Sequence, residues 1–268
     1  MEQETRTCTS DDEYPSEPPP HETQNGNLTL SEDQDPIGHA IRDYYTHGHA
    51  DNIQFFSSHF DEDEIVSAFL FRSFEEMSPL EQNAIELSQG KILDVEAKAG
   101  CRSLILQNRG FSVTAIDRSK LAVETMRQRG LKNALQRNIL DPSFTGSFDT
   151  LLLLRNGIGI VGELANLPFF FERINQLLSP TGFMLLDSRD LNYLYEEEIE
   201  WVGDDPYKPY YGEVEIEMKY KKIKSELFNW LYIDQQTLTY QANQAGFQVE
   251  LVAENMPYDY LAKISRFK

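Results

Sequence analysis

Short apolar runs and amphipathic stretches alternate along most of the chain. Residues 92–95, 113–116 and 148–154 are compact apolar runs of the kind that strands buried on both faces show. Residues 102–109, carrying Leu104, Ile105 and Leu106, suit a helix that Gly110 closes. Ser119 caps a second helix reaching Arg129, with Leu121, Ala122, Val123 and Met126 on its apolar face. Residues 133–138 read as a short third strand, and 163–178 as a long helix with a stripe through Leu167, Phe170, Phe171, Ile174 and Leu178. Pro180-Thr181-Gly182 breaks that helix before a fifth strand over 183–187. Asp234 caps a helix over 235–245, and the segments 247–253 and 258–265 alternate like an antiparallel pair. This βα alternation predicts an α/β fold with a mostly parallel sheet and helices on both faces.

Two regions stand outside that alternation. Ahead of the first strand, residues 37–45 suit a helix, 64–76 are apolar without deciding between strand and helix, and Ser78-Pro79-Leu80-Glu81 is a capping box opening a helix to Leu87. The stretch 36–90 is therefore expected to be an N-terminal helical segment. The second region, 189–233, is an insertion. Residues 213–220 alternate Val214, Ile216, Met218 and Tyr220 against charged positions, a half-exposed strand whose partner is 227–233. Ahead of them stand Tyr193, Tyr195, three consecutive acids, Trp201 and Tyr211. Leaving the C-terminal end of the fifth strand, the insertion should lie over any site there, and Tyr195, Trp201 and Tyr211 are its candidate substrate contacts. An aromatic, acidic lid suits a small or cationic substrate. A dimerisation arm, and hence a homodimer, is an equal alternative.

Composition narrows the partners. The 268 residues carry a formal charge of −20, which argues against nucleic acid. Residues 1–35 hold ten acids and one base, four prolines and almost no large aliphatic side chain, so they are expected to form a disordered acidic tail before a domain over 36–268. Two cysteines make no disulfide framework, and His39, His47 and His49 lack the thiol or carboxylate company of a metal site. With no signal-like or membrane-spanning apolar run, a cytoplasmic protein is expected.

The candidate chemistry lies in residues 91–117, where a strand, a tight turn, a helix and a second strand follow one another. Asp94 ends the first strand and Asp117 the second. In such a unit a ligand sits where the strands end, and the second acid accepts hydrogen bonds from a ribose diol. Asp94 to Gly100, Asp117 and residues 148–159 resemble the class I S-adenosylmethionine-dependent methyltransferases, a likeness covering roughly 37–268. The resemblance implies a Rossmann-like sheet whose last strand is inserted antiparallel, with S-adenosylmethionine as cofactor. It places Asp94, Gly100 and Asp117 at the cofactor, with Asn138 by the adenine, and Asn156 in a segment that faces the methyl acceptor. Arg155 and Arg72 are further cofactor candidates, Arg72 for the cofactor's carboxylate.

Glu96 and Lys98 depart from that family, standing where its D-x-G-x-G-x-G motif has the first two glycines. A Cβ there crowds the cofactor's methionine end. The two residues are expected to weaken S-adenosylmethionine binding to roughly millimolar, by placing an ion pair in the cofactor's space. The readings, in order, are a methyltransferase acting on a small molecule, a non-catalytic binding or interaction protein of the same fold, and a nicotinamide-dependent oxidoreductase, which lacks its G-x-G-x-x-G.

Overall fold

A computed structural model describes residues 29–58, 62–195, 209–255 and 257–268. In chain order the first part contains α1 (Pro36–His47), β1 (Ile53–Ser57), β2 (Asp63–Ile65) and α2 (Pro79–Leu87). The central part contains β3 (Lys91–Val95), α3 (Cys101–Asn108), β4 (Ser112–Asp117), α4 (Lys120–Gln128), β5 (Ala134–Gln136), β6 (Phe148–Leu153), α5 (Leu167–Leu177) and β7 (Leu178–Arg189). The last part contains β8 (Glu213–Tyr220), β9 (Ile223–Lys224), β10 (Phe228–Leu231), α6 (Gln235–Gln244), β11 (Phe247–Asn255) and β12 (Asp259–Arg266).

Among the described residues seven strands form the main sheet, in the order β11-β12-β7-β6-β3-β4-β5. Strands β3 to β7 pair in parallel, and β12 lies antiparallel between β7 and β11. The apolar runs read from the sequence are its central strands. Their alternate residues serve opposite faces. Leu93, Leu151, Leu153 and Leu186 pack with Phe170 and Ile174 of α5, whereas Ile92, Leu152 and Leu185 pack with Ile85 of α2 and Leu106 of α3. Both faces are covered, which is why these strands carry apolar side chains toward both. No described helix is long and apolar enough to cross a membrane.

A second sheet, β10-β8-β1-β2 with β9 beside β8, stands apart from the first. Strand β8 pairs with β10 inside the insertion as the alternation implied. Its other edge is taken by β1, with Phe55 opposite Met218. Residues 36–90 are therefore not helical throughout: they also supply two strands, and the ambiguous 64–76 stretch divides between β2 and a short 3-10 helix over Ser67–Phe71. The cause is tertiary, since β1 lies between the neighbouring β2 and β8, a strand some 160 residues onward.

The expected boundary at residue 35 is corrected too. Residues 29–35 are docked: Leu30 N donates to Arg118 O at 3.1 Å, and Lys120 pairs with Glu32 at 2.7 Å. Buried Asp35 caps α1 by accepting from Gly38 N at 2.8 Å, and its other oxygen accepts from Ser119 Oγ at 2.5 Å. Asp35→Ala is expected to cost about 1 kcal/mol, lowering the thermal midpoint by roughly 3 °C. An unchanged midpoint by calorimetry would show that this cap does not hold the segment.

Candidate functional site

The turn between β3 and α3 is fixed from below by β4. Ala97 N donates to Ile116 O at 3.1 Å and Lys98 N to Asp117 Oδ2 at 2.9 Å. Asp117, at the tip of β4, also accepts from Ser119 N at 2.9 Å, so one buried carboxylate ties the turn to the start of α4. Glu96 and Lys98 hold φ values of 51° and 55°. The backbone thus keeps a left-handed path that glycine adopts freely and these residues adopt only under strain. Arg155 and Asn156, after β6, hold φ 63° and 54°. Four of the five non-glycine residues with positive φ among the described residues therefore gather at one place.

That place is a cavity of about 380 Å³ between the C-terminal tips of the main sheet and the second sheet. Its wall includes Glu96, Lys98, Arg102, Asp117, Arg155 and Asn156, with Asp35 and Ser119 from the docked segment and α4. Glu96 is buried, its carboxylate held by Lys98 Nζ at 2.7 Å and Arg118 Nε at 3.3 Å. Burial opposes its ionisation, but the Lys98 and Arg118 charges outweigh that and keep its pKa well below the usual carboxylate range. Asp117 moves the other way. Burial, reinforced by the Glu96 charge, pushes it up to about 6.

Beneath the cavity lies a buried ion network. Asp94 is fully buried, with Oδ1 3.0 Å from Arg102 Nη2 and Oδ2 2.6 Å from Ser103 Oγ. Glu81 stands 3.6 Å from Arg102 and receives Arg72 through two bonds of 2.7 and 2.9 Å. Burial opposes the Glu81 charge, yet the Arg72 hydrogen bond and the Arg102 charge leave its pKa below the ordinary value. Arg155 is different. No carboxylate among the described residues comes within ion-pair distance, and its guanidinium lies over the Phe69 ring at 4.6 Å. Burial, with Arg72 nearby, lowers its pKa to about 10, so it stays charged at neutral pH. With Arg72, Lys98 and Arg102 it lines a further chamber of about 20 Å³ that shares wall residues with the main cavity.

Several sequence assignments change. Asp94 does not line the cavity, because Arg102 and Ser103 in the first turn of α3 take both its oxygens. Arg72 lines only the smaller chamber and is committed to Glu81. Gly100 is a packing position: it has φ 79° and a Cβ there would fall 2.8 Å from Met126 Cγ. Asn138 turns inward to accept from Leu140 N at 2.9 Å and lines neither the cavity nor the smaller chamber. The Asn156 carboxamide is spoken for, donating to Leu231 O at 3.1 Å and accepting from Ser188 Oγ at 2.8 Å. Asp187, raised to about 6 by burial, accepts from Asn156 N at 2.7 Å and holds this turn.

Two of the three lid aromatics, Tyr195 and Tyr211, are among the described residues. The Tyr211 hydroxyl lies 2.8 Å from Asp190 Oδ1 and 3.1 Å from Asp234 Oδ2, and Tyr195 Oη donates to Tyr211 O at 3.2 Å. Both brace the insertion and neither lines the cavity; Trp201 lies outside the described residues. The second sheet presents Phe55, Ile216, Met218, Phe228 and Trp230 instead. The period-two spacing of 216/218 and 228/230 carried that signal for β8 and β10, whereas nothing local marked Phe55.

Comparison with known proteins decides the family. A methyltransferase from Bacteroides fragilis, solved with S-adenosyl-L-homocysteine, is 46% identical over 90% of this chain and 98% of its own, with a TM-score of 0.82. The chain belongs to the S-adenosylmethionine-dependent methyltransferases. S-adenosylmethionine is the cofactor of this methyltransferase. DhpI, solved in a complex with SAM and HEP, shares the fold at 15% identity, 88% of this chain, 100% of its own and a TM-score of 0.56. Ubiquinone biosynthesis O-methyltransferase of Rickettsia prowazekii (strain Madrid E) is 30% identical over 114 residues, 41% of this chain and 44% of that protein. The match therefore spans less than half of that curated relative. No family model matches the chain.

The residues present fit this cofactor. Asp117 supplies an acid at the tip of the second strand, and Arg155 a cation with no carboxylate at ion-pair distance among the described residues. The Glu96–Lys98 pair forms as the sequence implied, yet it lines the wall and leaves the cavity open beside it. Replacing both by glycine removes two side chains from the cavity wall, and with them two strained φ values and an ion pair. Glu96→Gly with Lys98→Gly is expected to tighten S-adenosylmethionine binding at least about tenfold, with no loss of thermal midpoint. Weaker binding by the double variant would make the pair a contributor to the site.

Proposed function

We propose that this methyltransferase acts on a small molecule within the cavity of about 380 Å³. The enclosure carries the reading: strand tips, docked N-terminal segment and second sheet together bound a space in the range of small-ligand sites, roughly 300–1,000 Å³. Asp117 is assigned to the ribose diol, and Arg155 to the methionine carboxylate, which it can meet with two parallel hydrogen bonds. Arg155→Ala should weaken S-adenosylmethionine binding about tenfold, as loss of a charge-assisted contact implies; unchanged affinity would remove it from the site.

The cofactor supplies an electrophilic methyl on a sulfonium. A lone pair of the acceptor forms the new bond to the methyl carbon, the carbon–sulfur bond breaks, and its electron pair stays on sulfur; any proton on the acceptor atom leaves to solvent. The chain's part is to hold the acceptor in line and to exclude water. Incubation with S-adenosylmethionine and either the dialysable or the macromolecular fraction of a cell extract tests the reading. S-adenosylhomocysteine should form with the dialysable fraction, and turnover only with the macromolecular one would overturn it.

A further inference from the structure

The cavity divides by polarity. Toward the strand tips its wall carries Asp35, Glu96, Lys98, Asp117 and Arg118. Toward the second sheet the wall also carries Ser225, Glu226 and Tyr232, but its largest part is apolar, and the strand register shows that the apolar positions form one continuous face. Phe55 of β1 stands opposite Met218 of β8, Ile216 of β8 opposite Phe228 of β10, and Val214 opposite Trp230. Residues directly opposite, and residues two apart, share a face. The Phe228 and Trp230 rings meet edge to face at 6.1 Å. None of these six positions carries a charge.

Trp230 is fixed from behind. A Cβ on Gly159 would fall 2.0 Å from its indole, so the ring lies against the bare backbone of the turn after β6. The Asn156 bond to Leu231 O secures the next residue of β10 to the same turn. The indole is thus a positioned wall between the turn and the lid.

We propose that the methyl acceptor is a flat, largely apolar molecule of aromatic-ring type, laid against the Phe55–Met218–Phe228–Trp230 face, with Trp230 the side chain that selects it. The inference rests on the cofactor occupying the polar end, as in the function proposed above. An aromatic acceptor gains from burial and from ring–ring and sulfur–ring contacts on such a face. A sugar phosphate or an alkylammonium acceptor would lose hydration against this face, and the carboxylate on the same wall, Glu226, already accepts from Gln34 Nε2 at 2.8 Å.

The test is a binding titration with saturating S-adenosylhomocysteine, using 2-naphthol, ethanolamine and glucose 6-phosphate as probes. The wild-type protein should bind 2-naphthol in preference to both polar probes. Trp230→Ala should weaken 2-naphthol binding at least about tenfold while S-adenosylhomocysteine affinity changes less than about twofold. Trp230→Phe, which keeps a ring, should restore most of the loss and controls for misfolding. Preference for ethanolamine or glucose 6-phosphate, rejection of all three probes, or indifference of 2-naphthol to Trp230→Ala would each overturn the inference. Failure of S-adenosylhomocysteine itself to bind would instead sink the cofactor reading on which it rests.

Discussion

Asp94→Ala is expected to remove about 3–5 kcal/mol of stability and to lower the thermal midpoint by at least roughly 6 °C. Asp94 is fully buried at the end of β3, and its carboxylate is the nearest counter-charge to buried Arg102. Without it Arg102 keeps the Glu96 carbonyl at 3.4 Å and, as its nearest carboxylate among the described residues, Glu81 at 3.6 Å, which already serves Arg72 at 2.7 Å. Two guanidinium groups would then share one carboxylate in a desolvated setting, and the Ser103 hydroxyl would lose the acceptor it meets at 2.6 Å. A cavity-lining acid would behave differently, losing ligand affinity in preference to stability. Thermal unfolding of Asp94→Ala beside Asp117→Ala separates the two roles. A midpoint within about 2 °C of wild type, a change of under roughly 1 kcal/mol, would contradict the network's structural weight.

Asp117→Ala is expected to weaken S-adenosylmethionine binding by ten- to a hundredfold, about 1.5–3 kcal/mol, through loss of charge-assisted hydrogen bonds. The variant should also lose some stability, because the same carboxylate accepts from Lys98 N and Ser119 N at 2.9 Å each. The pH dependence distinguishes the ligand role. Burial and the Glu96 charge raise the Asp117 pKa to about 6, so the ionised acceptor predominates above that pH and the protonated form below it. A diol that donates to the carboxylate therefore binds more weakly as pH falls through about 6. Asp117→Asn cannot ionise and should flatten this profile. Asp187 also titrates near 6, so a decline that persists in Asp117→Asn would point to Asp187 and away from Asp117.

The main sheet was legible because its strands are short, largely apolar runs bounded by turns and because α2, α4 and α6 carry their caps in sequence. Ser78 and Ser119 are both N-caps in the structure, and Glu81 closes its capping box. The inserted hairpin was legible from the alternation of β8. Strand β1 was not, because Ile53–Ser57 has no clean period of two and its edge is completed by a distant segment. At the site, residue types were easier to read than side-chain directions. Asp94 was visible as a strand-tip acid, but nothing local showed that Arg102, eight residues on, turns back to neutralise it. Asn156 stood in the right turn, yet its carboxamide is consumed by Leu231 and Ser188, contacts made across the fold. Asp35 looked like the end of a tail because the partner that docks it on the domain, Ser119, is 84 residues away, although its cap on Gly38 N is local.

Calorimetric titration of S-adenosylhomocysteine into wild-type protein, Asp117→Ala and the Glu96→Gly, Lys98→Gly double variant tests the central claim, that the cofactor lies across Asp117 beside the Glu96–Lys98 pair. Saturable one-site binding should appear in wild type, weaken ten- to a hundredfold in Asp117→Ala and tighten at least about tenfold in the double variant. Absence of saturable binding in wild type and double variant alike, or equal affinity in wild type and Asp117→Ala, would contradict it.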